Sequence, residues 1–200
     1  MKTKRENGFT LYELMITVLI VGLVLSFGIP NFNEFTANSR MTSTANDLHS
    51  AFHMARSEAA RAKTNVTICA SNNSTVADPD CAGTFNDGWI VFQDPDGDGA
   101  HDTGEAILRV QPPINEGVNI DTAGDAPYFS FASTGLGRGN ITGDEPVSTA
   151  LICDERGNEI APGGRSAARA VIITPLGRAA VFNEKSVIQN IIDDSGASCP

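Results

Sequence analysis

The six residues at positions 8–13, Gly-Phe-Thr-Leu-Tyr-Glu, join a short basic leader to a long apolar segment. The leader, residues 1–8, carries three basic side chains and one acidic side chain. The apolar segment runs from Phe9 to Ile29 and contains a single charged residue, Glu13. A helix over these residues rises about 31 Å at ~1.5 Å per residue, which matches the thickness of a bilayer core. We therefore expect a membrane-spanning helix at residues 9–29.

The charges around this segment predict its orientation. Basic residues precede it, whereas the residues just after it are uncharged up to Glu34. Because basic flanks stay on the cytoplasmic side, the N-terminus is expected in the cytoplasm and the bulk of the chain outside it. The sequence contains no second apolar stretch of membrane length. A single-pass topology follows.

The four cysteines fit an oxidising compartment outside the cytoplasm. They allow three pairings. We favour Cys69 with Cys81 and Cys153 with Cys199, because each of these pairs bounds one local region of the sequence. Reduced, buried thiols are the alternative.

Residues 30–63 have the pattern of an amphipathic helix. Apolar residues recur there at steps of three and four, which places them on one helix face; they are Met41, Ala45, Leu48, Phe52, Ala55 and Ala59. No proline interrupts residues 31–63. The membrane helix and this segment are therefore expected to form one long helix that bends at Pro30 and buries one stripe against a head.

From residue 64 to residue 200 the apolar period changes to two and turn residues multiply, which predicts an antiparallel all-β head. Longer loops are expected at residues 71–87, 112–127 and 135–147, and the tail from Ile188 has little pattern. The fold class is α+β, with one long N-terminal helix packed on a β-rich head. The expected strands are Asn65–Ala70, Gly88–Gln93, Ala106–Val110, Tyr128–Ala132, Ala150–Cys153, Ala168–Thr174 and Arg178–Phe182.

The stretch at residues 8–13 resembles the class III signal of type IV pilins and type II secretion pseudopilins. The resemblance implies that a membrane prepilin peptidase cuts between Gly8 and Phe9 and methylates the new N-terminus at Phe9. It also matches Glu13 to the family glutamate and Pro30 to the family proline that ends the membrane-buried half of the helix. The alternative is an ordinary single-pass anchor with a chance Gly-Phe junction.

Glu13 also has a physical interpretation of its own. A carboxylate within a bilayer costs about 2.5–3.5 kcal/mol on insertion scales and usually has a partner. After cleavage, the nearby positive group is the α-amine of Phe9, which a neighbouring subunit can supply in a filament. The alternative is that Glu13 extends to the lipid headgroups.

Further segments resemble the FimT/GspH family of minor pilins and minor pseudopilins: residues 55–59 (ARSEA), 66–69 (VTIC), 88–92 (GWIVF), and Gly177-Arg178 after residues 171–173. The resemblance implies a bacterial inner-membrane protein with a periplasmic head that later joins a filament. It implies a place at or near the filament tip, where the protein helps to start or cap assembly. The implied partners are other pilin or pseudopilin subunits, the prepilin peptidase and the inner-membrane assembly platform.

Residues 94–105, DPDGDGAHDTGE, match the calcium-loop pattern D-x-D-x-D-G-x5-E at every specified position. Gly99 permits the sharp turn, and oxygen ligands are what calcium prefers. The preceding segment has a strand pattern, unlike an EF-hand, so the alternative is a solvated hairpin loop. The candidate ligands are Asp94, Asp96, Asp98, the Ala100 carbonyl, Asp102 and Glu105.

Other ligand sites and catalysis receive less support. His49 and His53 lie four residues apart, a spacing that could hold a transition metal, but no third ligand is evident, and solvated helix positions are favoured. The chain carries no H-E-x-x-H, G-x-S-x-G, Walker or C-x-x-C motif. We therefore expect no enzyme, and a membrane-anchored periplasmic enzyme is the least favoured function.

DNA binding in natural transformation is an alternative function. Some FimT proteins are implied to bind DNA through a G-R-x-R motif, and here the matching residues 177–180 are Gly-Arg-Ala-Ala, without the second arginine. Arg138, Arg165 and Arg169 could form a patch with Arg178. The net charge is −10 and becomes −12 without the leader, which opposes phosphate binding. DNA is therefore not expected as a partner.

Overall fold

The computed structural model describes residues 8–139, 147–161 and 163–199. The chain divides into two compact units, Met1–Ser39 and Arg40–Pro200. The first helix, α1, runs from Leu11 to Ala62 and so contributes to both units.

In the first unit, α1 is apolar and its side chains from Leu11 to Ile29 are exposed. By length and composition, this is a helix able to cross a membrane. An apolar helix with no protein cover fits the predicted membrane segment. The backbone is helical through position 30, and the bend at Pro30 stays a prediction.

In the second unit, α1 buries the stripe that its period of three and four predicts. Each of the six side chains in that stripe, from Met41 to Ala59, is at most 1% exposed. The amphipathic helix packed on a head is therefore confirmed.

The head contains two four-stranded sheets, ordered β3-β2-β1-β5 and β4-β6-β7-β8. All strand pairs within them are antiparallel. The strands are β1 (Val66–Ala70), β2 (Trp89–Gln93), β3 (Ile107–Gln111), β4 (Asn119–Thr122), β5 (Tyr128–Phe131), β6 (Thr149–Cys153), β7 (Arg169–Ile173) and β8 (Ala179–Phe182). A second helix, α2, spans Lys185–Ser195.

Alternation along the strands divides the apolar residues between two faces of each sheet. One face of both sheets joins the α1 stripe in a single core, to which Ile68, Trp89 and Ile152 belong. The other face of the first sheet carries a small cluster around Phe92 and Tyr128. The other face of the second sheet is covered by α2 through Ile188. Each sheet is thus buried on both sides over part of its area.

All seven expected strands are present, with ends that differ by one residue at most, but the sequence-based description of the head is wrong in two places: an expected loop contains a strand, and the head is not all-β because it contains a helix. β4 lies in the expected loop 112–127. Only Ile120 is apolar in this strand. On the edge of β4 that faces away from β6, the side chain of Asn86 replaces a partner strand: it accepts a hydrogen bond from Ile120 N at 2.6 Å and donates one to Ile120 O at 3.1 Å. Such a strand depends on contacts that are distant in sequence.

The second difference is α2, a helix that we did not predict and that overlaps the weakly patterned tail from Ile188. Its apolar residues Ile188, Ile191 and Ile192 have helical spacing and pack on the second sheet. Gly196 ends the helix in the left-handed conformation at φ 73°. Both signals were present in the sequence and were missed.

The structure joins Cys69 to Cys81 and Cys153 to Cys199, the pairing that we favoured. The first disulfide ties the long loop after β1 to that strand. The second ties the residues after α2 to β6. Each bond therefore fixes a segment that lacks extensive strand pairing.

Candidate functional site

The predicted cleavage site precedes α1. Gly8 and Phe9 are exposed and lie outside the helix, which begins at Leu11. An added Cβ on Gly8 would meet nothing within 4 Å. The peptide bond between Gly8 and Phe9 is thus accessible within the described residues.

Thr10 and Glu13 form a capping box at the start of α1. The Thr10 hydroxyl accepts a hydrogen bond from Glu13 N at 3.2 Å. In return, Oε2 of Glu13 accepts hydrogen bonds from Thr10 N and Thr10 Oγ1, both at 3.0 Å. The pattern Thr-x-x-Glu is a sequence signature for this arrangement, and our sequence reasoning missed it.

This box gives Glu13 a role inside its own chain. It satisfies amide groups at a helix end, where lipid offers no hydrogen bonds. Both contacts use Oε2, and among the described residues Oε1 has no hydrogen-bond partner. Glu13 can therefore cap its helix while presenting one oxygen to a cation from outside.

The acidic loop, residues 94–105, begins at a buried carboxylate. Asp94 is fully buried and follows β2 directly. Its carboxylate accepts hydrogen bonds from Thr67 Oγ1 at 2.7 Å, Gly97 N at 2.7 Å and Gly99 N at 3.2 Å. Burial raises the pKa of Asp94, and the hydrogen bonds from Thr67 and Gly97 oppose this shift only in part. Asp94 is thus held at the base of the loop.

Three of the candidate calcium ligands converge. Oxygen atoms of Asp94, Asp96 and Asp98 all lie within 4.8 Å of one another. Asp102 and Glu105 instead close a turn, in which Asp102 N donates to Glu105 Oε2 at 3.0 Å and Glu105 N donates to Asp102 O at 3.0 Å. Burial, and then the charges of Asp94 and Asp96, raise the pKa of Glu105. The structure therefore assembles part of the ligand set.

The positively charged side chain of Arg138 lies beside this carboxylate cluster. Nη1 of Arg138 lies 3.8 Å from Oδ2 of Asp94. An added Cβ on Gly97 would lie 2.6 Å from Nη2 of Arg138, so the glycine leaves room for the guanidinium. A calcium ion at Asp94 would face this positive charge at short range.

The candidate DNA-binding arginines have different surroundings. Arg138 is half-buried beside Asp94, and Nη1 of Arg169 donates to the carbonyls of Ser166, Ala167 and Ala168 at 2.7–3.0 Å. Arg165 and Arg178 are exposed. Two of the four arginines are therefore committed to partners inside the chain.

Gly177 of the Gly-Arg pair has a steric role. Its φ is +74°, and an added Cβ would lie 2.5 Å from the Phe131 ring. Its carbonyl accepts a hydrogen bond from Nη1 of Arg56 on α1 at 3.2 Å. The turn at Gly177 therefore contacts both the first sheet, at Phe131, and α1, at Arg56. These contacts account for a glycine at this position without any bound ligand.

His49 and His53 touch each other on α1. Their Nε2 atoms are 3.1 Å apart, and Nε2 of His49 also lies 3.2 Å from the carbonyl oxygen of Ala179 on β8. Partial burial, followed by the charges of His49 and Arg56, lowers the pKa of His53. His49 therefore joins α1 to the edge strand β8, whereas His53 is exposed to solvent.

Comparison with known proteins gives two family matches. The model described as Type II transport protein GspH matches residues 44–177, which is more than half of the chain. The model described as Prokaryotic N-terminal methylation motif matches residues 3–29. Together the two models cover both the anchor and most of the head.

Individual relatives match over shorter segments. The type IV major pilin protein PilA of Myxococcus xanthus is 46% identical over 44 residues, 22% of this chain and 20% of that protein. A fimbrial protein of Pseudomonas aeruginosa is 38% identical over 45 residues, 22% of this chain and 29% of that protein. The chain therefore spans less than a third of the length of these curated relatives.

One solved structure shares the fold. The type IV minor pilin FimU of Pseudomonas aeruginosa PAO1 superposes with a TM-score of 0.51 and 19% identity, over 76% of this chain and 94% of that chain. This supports a pilin-like fold, with a long N-terminal helix followed by antiparallel sheets. On the match to residues 44–177, the chain belongs to the GspH family, a family of structural pilin-like subunits rather than of enzymes.

Proposed function

We propose that this chain is a minor pilin or minor pseudopilin that helps to initiate or cap assembly of a type IV pilus or a type II secretion pseudopilus. The observation that carries the proposal is a GspH-family head joined to an apolar helix whose side chains are exposed from Leu11 to Ile29. Apolar surface of this extent requires cover by lipid or by other apolar helices. In this proposal, lipid covers the helix before assembly and neighbouring subunits cover it in the filament.

The proposal includes a location and a route. Before assembly the helix sits in the bacterial inner membrane, with the N-terminus cytoplasmic and the head periplasmic. A prepilin peptidase removes residues 1–8, and the inner-membrane platform moves the subunit into the filament. Two disulfides in the head support an oxidising compartment.

DNA binding is not part of this proposal. Clustered cations are what phosphate binding requires. Arg138 and Arg169 are engaged within the chain, and the second arginine of the G-R-x-R pattern is replaced by Ala180. A contribution to DNA uptake would therefore come through filament assembly.

Deleting the gene tests the initiating role. If the subunit helps to start filaments, the deletion strain should make markedly fewer filaments while the major subunit accumulates in the membrane. Electron microscopy and immunoblots of sheared filaments measure this, with re-expression of the wild-type chain as the control. Twitching, DNA uptake and exoprotein secretion are scored in the same strain: loss of twitching or DNA uptake assigns the chain to a type IV pilus, and loss of secretion assigns it to a type II secretion system. A strain with unchanged filament number, motility and secretion contradicts the proposal.

We further propose that the acidic loop binds calcium weakly. The supporting observation is the convergence of Asp94, Asp96 and Asp98, in a segment with the full calcium-loop spacing. Binding requires Glu105 to leave its turn with Asp102 and the ion to compete with Arg138. We therefore expect a dissociation constant on the order of 10⁻⁴–10⁻³ M, as in extracellular calcium modules.

Calcium should raise the melting temperature of the purified chain. A ligand at ~100-fold excess over its dissociation constant stabilises the folded state by about 2.7 kcal/mol. Asp96→Ala or Glu105→Ala should abolish the rise, whereas Asp80→Ala, an exposed acid outside the loop, should retain it. Magnesium should do less, because it gives up its water reluctantly. Equal melting of all variants with calcium or with chelator shows the loop to be a connection only.

A further inference from the structure

The histidine pair on α1 has the geometry of a shared ligand site. His49 and His53 are one helical turn apart, with ring centroids 4.4 Å apart and ring planes at 73°. His53 is exposed, so an ion from solvent can reach it, whereas His49 is partly buried. The two Nε2 atoms approach to 3.1 Å.

The neutral histidine pair has too few N–H groups to make both contacts at Nε2 of His49 full hydrogen bonds. Nε2 of His49 lies within hydrogen-bonding distance of both Nε2 of His53 and the carbonyl oxygen of Ala179. Each neutral imidazole carries one proton, so Nε2 of His49 either donates, to Ala179 O, to His53 or to both at once, or accepts from Nε2 of His53. With neutral rings, at most one of the two contacts is therefore a full hydrogen bond.

A metal ion satisfies the same lone pairs. Imidazole nitrogens bind zinc at about 2.0–2.1 Å, so two of them on one ion lie about 2.9 Å apart at a right angle and about 3.4 Å apart at the tetrahedral angle. The observed 3.1 Å lies between these values. The separation of the two nitrogens therefore already suits a shared ion.

We propose that His49 and His53 chelate a first-row divalent transition metal, with Cu²⁺ preferred over Ni²⁺ and Zn²⁺. The preference follows from the general affinity order of nitrogen ligands for these ions. The Ala179 carbonyl is placed to supply an oxygen, and water completes the coordination. An ion held in this way links α1 to the edge of β8.

Nearby charges limit the strength of the site. Arg56 is one turn further along α1, although its Nη1 donates to the Gly177 carbonyl at 3.2 Å. Two residues before His49, Asp47 is paired with Arg109, with Oδ1 of Asp47 3.3 Å from Nη2 of Arg109. These groups supply no free carboxylate to the ion, so we expect a moderate affinity set by the two imidazoles.

The test uses the full chain in detergent, without an affinity tag, titrated with Cu²⁺ and followed by electron paramagnetic resonance. Wild type should bind an ion whose spectrum shows imidazole nitrogen coupling. Replacing groups that merely orient metal ligands costs about 10–100-fold in affinity, so His53→Gln, which removes a ligand, should weaken binding by at least about tenfold. His53 is exposed, so this variant should fold normally, which its melting temperature checks.

Two variants separate this site from other copper ligands. Ser57→Gln changes an exposed residue one turn beyond His53 and should bind copper like wild type. Asp96→Ala, in the acidic loop, should keep the nitrogen-coupled signal of wild type, because carboxylates give no such coupling. Copper binding by His53→Gln that equals wild type, or a spectrum without nitrogen coupling, overturns the proposal. The outcome of this copper-binding test does not depend on whether the chain has a role in filament assembly.

Discussion

Replacing Gly8 with leucine should leave the chain in the membrane with residues 1–8 still attached. By resemblance to the class III signal, the peptidase cuts after this glycine, and we expect it not to accept a bulky leucine before the cleaved bond. The substitution should not disturb the chain itself, since an added Cβ on Gly8 meets nothing within 4 Å. Loss of processing would therefore report recognition by the peptidase and not misfolding.

Intact-mass analysis of membrane-extracted protein, from a host with an active prepilin peptidase, measures this outcome. The wild-type chain should begin at methylated Phe9, whereas Gly8→Leu should keep its leader. Gly22→Ala is a matched control, because its added Cβ also meets nothing and lies far from the cleaved bond. A wild-type chain that is uncut or begins elsewhere contradicts the assigned site, as does normal cleavage of Gly8→Leu.

Glu13→Leu should insert into the membrane at least as well as wild type but should enter filaments poorly. The carboxylate makes insertion harder by about 2.5–3.5 kcal/mol at a bilayer centre. Its removal also frees Thr10 N, but losing a helix cap costs only about 0.5–2 kcal/mol, so insertion should not be impaired. Docking should suffer if Oε1, which has no hydrogen-bond partner in the described part of the chain, pairs with the amine of a neighbouring subunit. The ratio of variant in sheared filaments to variant in membranes measures the effect.

The capping box provides a variant that separates charge from capping. Glu13→Gln keeps an acceptor for Thr10 N, since glutamine also serves in this motif, but it removes the negative charge. If the charge pairs with an amine, the glutamine variant should be as defective as the leucine variant. Wild-type incorporation of Glu13→Gln would mean that Glu13 acts only as a cap. Equal incorporation of all three chains would place it among the lipid headgroups.

Local patterns were enough to locate most elements of the head. The stripe from Met41 to Ala59 is buried as its spacing requires, and the seven expected strands lie where the period changes to two. Helical and strand periods depend on residues a few positions apart, so they can be read from a short window. The same holds for the capping box and α2, whose signals the sequence contained and we missed.

Other features required residues that are far apart in the chain. The sequence alone predicted a membrane anchor and a cleavage motif and determined the period of each segment. Only the tertiary structure divided the strands into two sheets and formed β4, which depends on Asn86. The tertiary structure also places the guanidinium of Arg138 beside the carboxylate of Asp94 and the carbonyl of Ala179 within hydrogen-bonding distance of His49. Contacts of this kind are set by how sheets and helix pack, and no local spacing encodes them.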